Sequence, residues 1–221
     1  MLVIHHLGIS VSERVVWLCE ELGIPYELKI YQRDPKTNLA PAEYKALHPF
    51  QTSPVIDDGD VRLSESGAVI EYILNKHASE QQRQSITVSK DDKDYADYLY
   101  WEHFTDASLH GSMMLNSTVM RLTGGQIEHE TLKNLANRLY LGYEMLEKRL
   151  KNRKFVAGEK FTIADLLLFF PISTMRNFIP IPKSLDNYPN VKDYIQRLGD
   201  RDAYKRTVQK ADPQRGFVSK L

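Results

Sequence analysis

Two short stretches hold most of the chemistry this chain could do. Ser53-Pro54-Val55 is followed, after an acidic turn around Asp58-Gly59, by the run from Ser64 to Ile73, SESGAVIEYI. The pattern reads as strand, turn, strand, and then a helix that opens on an acid, Glu65, and a hydroxyl, Ser66. A helix N-terminus presents unpaired amide N–H groups and a partial positive charge, so it takes a carboxylate well. Glu65 adds an anion for an ammonium group. A cis bond at Pro54 would free the N–H and C=O of Val55 to pair with an extended peptide. Such a site suits a small peptide with a free carboxylate and a free amine. The same residues also fit plainer roles: a trans proline at a strand start, and a capped helix with an acid in its first turn.

A second group lies near the N-terminus, where Ser10 and Ser12 precede Arg14. Each serine could cap the helix that follows, and Ser10 fits an N-cap as well as it fits a site that polarises a bound group. Arg14 is unfavourable beside the positive end of a helix dipole, which predicts a carboxylate partner. His5-His6 lacks the i, i+4 spacing of helical metal ligands, and His103 and His110 stand too far apart to share an ion, so no metal site is expected. The single cysteine, Cys19, falls on an apolar stripe and reads as a buried hydrophobe. With no Cys-x-x-Cys at a helix start, a dithiol mechanism is not expected.

These groups need elements to hold them. Leu2 to His6 reads as a buried strand. Val15, Leu18, Cys19 and Leu22 mark a helix closed by Gly23, and Tyr26 to Tyr31 forms a second strand. Pro41 starts a short helix through Leu47, and the Val55-Ile56 and Val61-Leu63 strands meet at a tight hairpin. Val69, Ile70, Ile73 and Leu74 mark the helix after it. The order β-α-β-α-β-β-α, with the first unit parallel and the last hairpin antiparallel, predicts an α/β thioredoxin-like domain over residues 1–77. Residues 78–94 are polar and read as a linker. Residues 95–221 read as an all-α helical domain. One apolar stripe runs through Tyr95, Tyr98, Leu99, Glu102, Thr105, Asp106 and Leu109, and a break falls at Gly124-Gly125. A second stripe runs from Leu132 to Leu150. A capping box is expected at Thr162 and Asp165, a loop at Pro180 and Pro182, a late helix at Val191 to Leu198, and then a mixed tail.

The chain has 221 residues, of which 42% are hydrophobic and 26% charged, the balance of an ordinary globular protein. Its 29 basic residues balance its 29 acidic ones, which argues against a nucleic-acid or anionic-membrane partner. No apolar run is long enough to span a bilayer and no targeting segment is read, so a cytoplasmic protein is expected.

A thioredoxin-like half with Ser10-x-x-x-Arg14, then Ser53-Pro54-Val55, then the Glu65-Ser66 helix, followed by a helical half with GEKFTIADLLL (158–168), resembles the cytosolic glutathione S-transferases. The stretches YKALHPFQTSPV and YWEHFTDASL are most similar to a serine-type branch from fungi and bacteria. The resemblance implies glutathione as co-substrate, no metal, and a small hydrophobic electrophile as second substrate. It also implies a homodimer and a role in detoxification. Ser10, with Ser12 as the alternative, becomes the thiol activator, and Gln51, Ser53, Pro54, Val55, Glu65 and Ser66 hold glutathione. Asp106 reaches the γ-glutamyl ammonium of the other subunit, or is simply a solvated acid. His110 and Trp101 are candidates for the electrophile pocket. The family usually carries Gly and a basic residue where this chain has Gln51 and Thr52, and often Asn where it has His48. Peroxide reduction by the same thiolate is a further expectation. The alternatives are a non-catalytic binding or regulatory protein of this fold and a glutathione-dependent disulfide reductase.

Overall fold

A computed structural model describes residues 1–126, 128–177 and 184–215. The loop expected at Pro180 and Pro182 lies outside the described residues. In chain order the elements are β1 (Leu2–Leu7), α1 (Glu13–Leu22), β2 (Glu27–Tyr31), α2 (Ala42–Lys45), β3 (Val55–Asp58), β4 (Val61–Ser64), α3 (Ser66–Lys76) and α4 (Glu80–Ile86). Then come α5 (Tyr95–His103), a π-helical segment (Phe104–His110), α6 (Gly111–Leu122), α7 (Glu130–Leu150), α8 (Ile163–Ser173), α9 (Pro189–Gly199) and α10 (Asp202–Ala211).

The first unit comprises Met1–Ser85 together with the described chain from Gly199 onward. Its sheet runs β2-β1-β3-β4, with β1 and β2 parallel and the other neighbours antiparallel. This is the mixed four-stranded sheet of a thioredoxin-like domain. α1 buries Val15, Val16, Trp17, Leu18, Cys19 and Leu22, and ends on Gly23 in a left-handed conformation (φ 66°) whose N–H donates to the Cys19 carbonyl. The hairpin turn falls on Gly59-Asp60, one residue later than expected, because Asp58 still pairs with Val61.

Two expectations change. The polar stretch read as linker contains α4, so residues 78–94 are not irregular throughout. The tail read as mixed forms α10, whose buried Ala203, Tyr204, Thr207, Val208 and Ala211 fall on one helical face. α10 packs on α1, with the Tyr204 ring edge-on to Trp17 at 4.9 Å, and so groups with the first unit rather than with the helical one. Glu20 on α1 accepts from Arg206 and Lys210 of α10, and Glu21 pairs with Arg201.

The second unit, Ile86–Leu198, is helical. Its core is α8, buried along its whole length. Asp165 accepts from both the Thr162 N–H (2.8 Å) and the Thr162 hydroxyl (2.9 Å), and also from Tyr194 and the Val156 amide. Val191, Tyr194, Ile195 and Leu198 form the buried face of α9, as expected. Of the expected stripe, Tyr98, Thr105 and Leu109 are buried, joined by Trp101 and Met113, while Leu99 is exposed. The helix turns into π geometry between Phe104 and His110, downstream of the departure at Leu99.

Candidate functional site

The candidate site is assembled by the turn that leaves β1. Ile9 stands in the left-handed region at φ 50°, an outlier for a β-branched residue. Two side chains hold it there. Asp212, just beyond α10, accepts the Ile9 N–H at 3.1 Å, and Arg33 donates to the carbonyls of Ile9 and Gly8. The twist at Ile9 delivers Ser10 to a position where its Oγ lies 2.8 Å from Ser53 Oγ, the residue before Pro54. The Ser53-Pro54 bond is cis, as expected, and Val55 opens β3 opposite both His5 and Ser64. Ser64 Oγ donates to the Pro54 carbonyl at 2.8 Å, tying the two strands at that point.

Neither serine caps α1 through its side chain. Ser12 occupies the N-cap position, but its hydroxyl turns inward. It accepts the Leu7 N–H at 3.2 Å and lies 2.9 Å from His6 Nδ1 and 2.8 Å from Ser10 Oγ. His6 Nε2 donates to Asp212 Oδ2 at 3.0 Å. Ser12 and His6 are fully buried, whereas Ser10 is 5% exposed and Ser53 half-buried. Of the two serines, Ser10 is therefore the one beside the Ser53-Pro54 edge.

Glu65 and Ser66 sit where β4 gives way to α3. Glu65 is exposed and adopts φ 78°, a second non-glycine residue in a sparsely populated region. Ser66 is the first residue of α3 and accepts from Arg14 Nη1 at 3.2 Å. The buried guanidinium of Arg14 therefore lies beneath the helix terminus that presents Ser66. Gln51, exposed at φ 59°, donates its N–H to the His48 carbonyl, and the Phe50 N–H donates to His48 Nδ1. His48 thus fills the turn where the family often has Asn.

In the second unit, Asp106 and His110 face one another across the π segment, with Asp106 Oδ1 3.7 Å from His110 Nδ1. Trp101 is 4% exposed and packed against Tyr100 and Phe104, which leaves the half-buried His110 as the more open of the two electrophile-pocket candidates. Burial, reinforced by the Glu20 charge, pushes the Cys19 thiol up to about 12, which removes it from thiolate chemistry. Among the described residues no group of three or more His, Cys, Asp or Glu could hold a metal ion.

Sequence reasoning did not find Asp212, His6, Ile9 or Arg33. The adjacent His5-His6 pair in an apolar strand was the one signal available for them.

Comparison with known proteins agrees with this architecture. The profile for the glutathione S-transferase N-terminal domain matches residues 10–76, and that for the C-terminal domain matches residues 110–202. Glutathione S-transferase 3 of Schizosaccharomyces pombe is 31% identical over 96% of this chain and 88% of its own length. Glutathione S-transferase 1 of Saccharomyces cerevisiae is 24% identical over 94% of each chain. The crystal structure of a glutathione S-transferase from Actinobacillus pleuropneumoniae superposes with a TM-score of 0.84 at 32% identity, covering 96% of this chain and 93% of that one. With both halves matched in order across nearly its whole length, this chain belongs to the glutathione S-transferase family.

Proposed function

We propose that this protein transfers the thiolate of glutathione to small hydrophobic electrophiles, with Ser10 as the thiol activator. The observation that carries the reading is the 2.8 Å contact between Ser10 Oγ and Ser53 Oγ. It puts the hydroxyl at the start of α1 beside the Pro54-Val55 edge, where the cysteinyl part of an extended peptide would pair. A hydroxyl donor and a helix N-terminus both favour a thiolate over a thiol, whose ordinary pKa is about 8.5. In this reading Gln51, Ser53, Pro54, Val55, Glu65 and Ser66 hold the peptide. Ser66 and the α3 N-terminus take the γ-glutamyl carboxylate, and Glu65 takes its ammonium. The chemistry is detoxification in the cytoplasm, and the alternatives of a non-catalytic protein or a disulfide reductase are not favoured by the relatives.

The enzyme works as a homodimer, with Asp106 serving the site of the other subunit and His110 bordering the electrophile. Leu99, Tyr100, Met114, Leu115, Leu141 and Met145 are exposed apolar side chains of the helical unit that a second copy would cover.

The test is glutathione affinity by titration calorimetry. Charge-assisted hydrogen bonds are worth about 1.5–3 kcal/mol each, so the double change Glu65→Ala, Ser66→Ala weakens binding by at least about tenfold. Unchanged affinity in a variant with native circular dichroism would sink the assignment.

A further inference from the structure

Ser10 does not end the polar chain. From Ser53 the contacts run through Ser10, Ser12 and His6 to Asp212, each link between 2.8 and 3.0 Å, and every member except Ser53 and Asp212 is buried. With a neutral His6 in the resting chain, its direction follows from its two ends. An ionised carboxylate only accepts, so His6 Nε2 carries a proton and donates it to Asp212. In a neutral imidazole, Nδ1 is then the bare acceptor. A backbone amide only donates, so Ser12 Oγ must accept from Leu7 N–H. Ser12 has one proton, and Nδ1 requires it. Ser12 therefore accepts from Ser10, and Ser10 in turn accepts from Ser53.

This polarity bears on the proposed reaction, on which the inference rests. In the resting chain the Ser10 proton points inward, to Ser12, and cannot stabilise a thiolate outside. We infer that His6 and Asp212 are positioning residues that reverse the chain by storing one proton. Ser10 Oγ, which also accepts the Ser12 N–H at 3.3 Å, takes the thiol proton on the lone pair that Ser53 frees by turning its hydroxyl away, as the S–H bond breaks. The original Ser10 proton passes to Ser12 Oγ, and the original Ser12 proton passes to His6 Nδ1. Three O–H or N–H bonds form, one S–H and two O–H bonds break, and no proton leaves the protein. The sulfur is left anionic, facing a Ser10 hydroxyl that now points outward. The imidazolium lies against the Asp212 carboxylate.

The surroundings of His6 suit a stored charge. Its neighbour across β1–β2 is the apolar Ile30, and Asp212 is the acid it touches. Arg33 acts electrostatically on both Asp212 and Tyr44, and so helps keep the carboxylate ionised. Tyr44, whose phenol is pushed up mainly by burial, donates to the His5 carbonyl at 3.4 Å. Asp212 Oδ1 simultaneously holds the Ile9 N–H, so one carboxylate shapes the turn before Ser10 and sets the tautomer behind it.

The experiment pairs nitrogen NMR of His6 with thiolate absorbance against pH. In the wild type without ligand, His6 carries its proton on Nε2. Saturation with glutathione at neutral pH converts it to an imidazolium, and S-methylglutathione, which has no thiol proton to give, leaves it neutral. Asp212→Asn keeps an oxygen for Ile9 N–H but offers an amide donor to Nε2, so the proton moves to Nδ1 and the chain can no longer store another. The pKa of bound glutathione then rises by about one unit or more, at nearly unchanged affinity. A resting proton on Nδ1, or a neutral His6 in the glutathione complex, overturns the inference. So does an Asp212→Asn variant with a wild-type thiol pKa while Ser10→Ala raises it, and in that case the role of Ser10 stands. If Ser10→Ala fails to shift the thiol, the activator assignment itself falls and the storage chain falls with it. His6→Gln, read in the same way, serves if Asp212→Asn does not fold.

Discussion

His5 and His6 are adjacent in one strand, both buried, and each has an aspartate 3.0 Å from its Nε2. Their surroundings differ because successive strand residues point to opposite faces of the sheet. His5 meets Asp57, which already receives a two-pronged bond from Arg62, and its Nδ1 lies 2.9 Å from Tyr31 Oη. His6 meets Asp212, and its Nδ1 leads to three serine hydroxyls. The same His–Asp unit is closed on one face by a guanidinium and a phenol, and open on the other toward the candidate site. The histidine pair alone carries no function; what stands at the second ring nitrogen decides it.

The comparison breaks most sharply on truncation. His6→Ala leaves a cavity, an Asp212 carboxylate that has lost its imidazole donor and a Ser12 hydroxyl that has lost its acceptor, and is expected to cost about 3 kcal/mol. His5→Ala leaves Asp57 still paired with Arg62, and is expected to cost about 1–2 kcal/mol. Urea unfolding of the two variants measures the gap. Equal costs would mean that Asp212 is as well compensated as Asp57.

A smaller effect separates the two acids by pH. The Arg62 hydrogen bonds, with those of His5 and against burial, hold Asp57 down at about 2 from an ordinary 3.8. A depressed carboxylate stabilises the fold above its unfolded pKa, and the contribution disappears as the pH falls from about 4 through 2. Discounted for the exposure of Asp57 and Arg62, it amounts to about 1 kcal/mol. Asp57→Asn should flatten the acid limb of the thermal midpoint over that window and leave the thiol pKa of bound glutathione alone. A shift in that thiol would show that the two faces communicate.

The smallest effect is expected from Tyr31→Phe, which removes only the hydroxyl beside His5 Nδ1. A loss of less than about 1 kcal/mol in chemical unfolding is expected, with turnover unchanged. A measurable drop in turnover would give the His5 side a part in the chemistry.

What the sequence disclosed follows the range of the forces involved. The strand and helix order, the Gly23 stop, the capping box at Thr162 and Asp165, and the Ser53-Pro54 and Glu65-Ser66 motifs are local, written within a few residues of one another. α10 was equally legible in principle, since Ala203, Tyr204, Thr207, Val208 and Ala211 keep a helical period, but the abundant charges between them masked it. The π segment was not legible, because a 3.6-residue template assumes the geometry it tests. Ile9 was hidden for the opposite reason: its side chain favours a strand, and the left-handed turn is imposed by Asp212 and Arg33 from elsewhere. Asp212 was the most hidden of all, since no periodicity relates it to His6 across 206 positions.

That separation also orders events during biosynthesis. The strands and helices before residue 80 can pair as they leave the ribosome, yet the carboxylate that twists Ile9 and polarises His6 is translated 206 residues after that histidine. Until it arrives, a nascent first domain has its Ser53-Pro54 edge without the turn that positions Ser10, and the apolar face of Trp17 is uncovered. α10 and the Asp212 that follows it therefore act as a late keystone: the turn that carries Ser10 is fixed only once the chain has been made through residue 212.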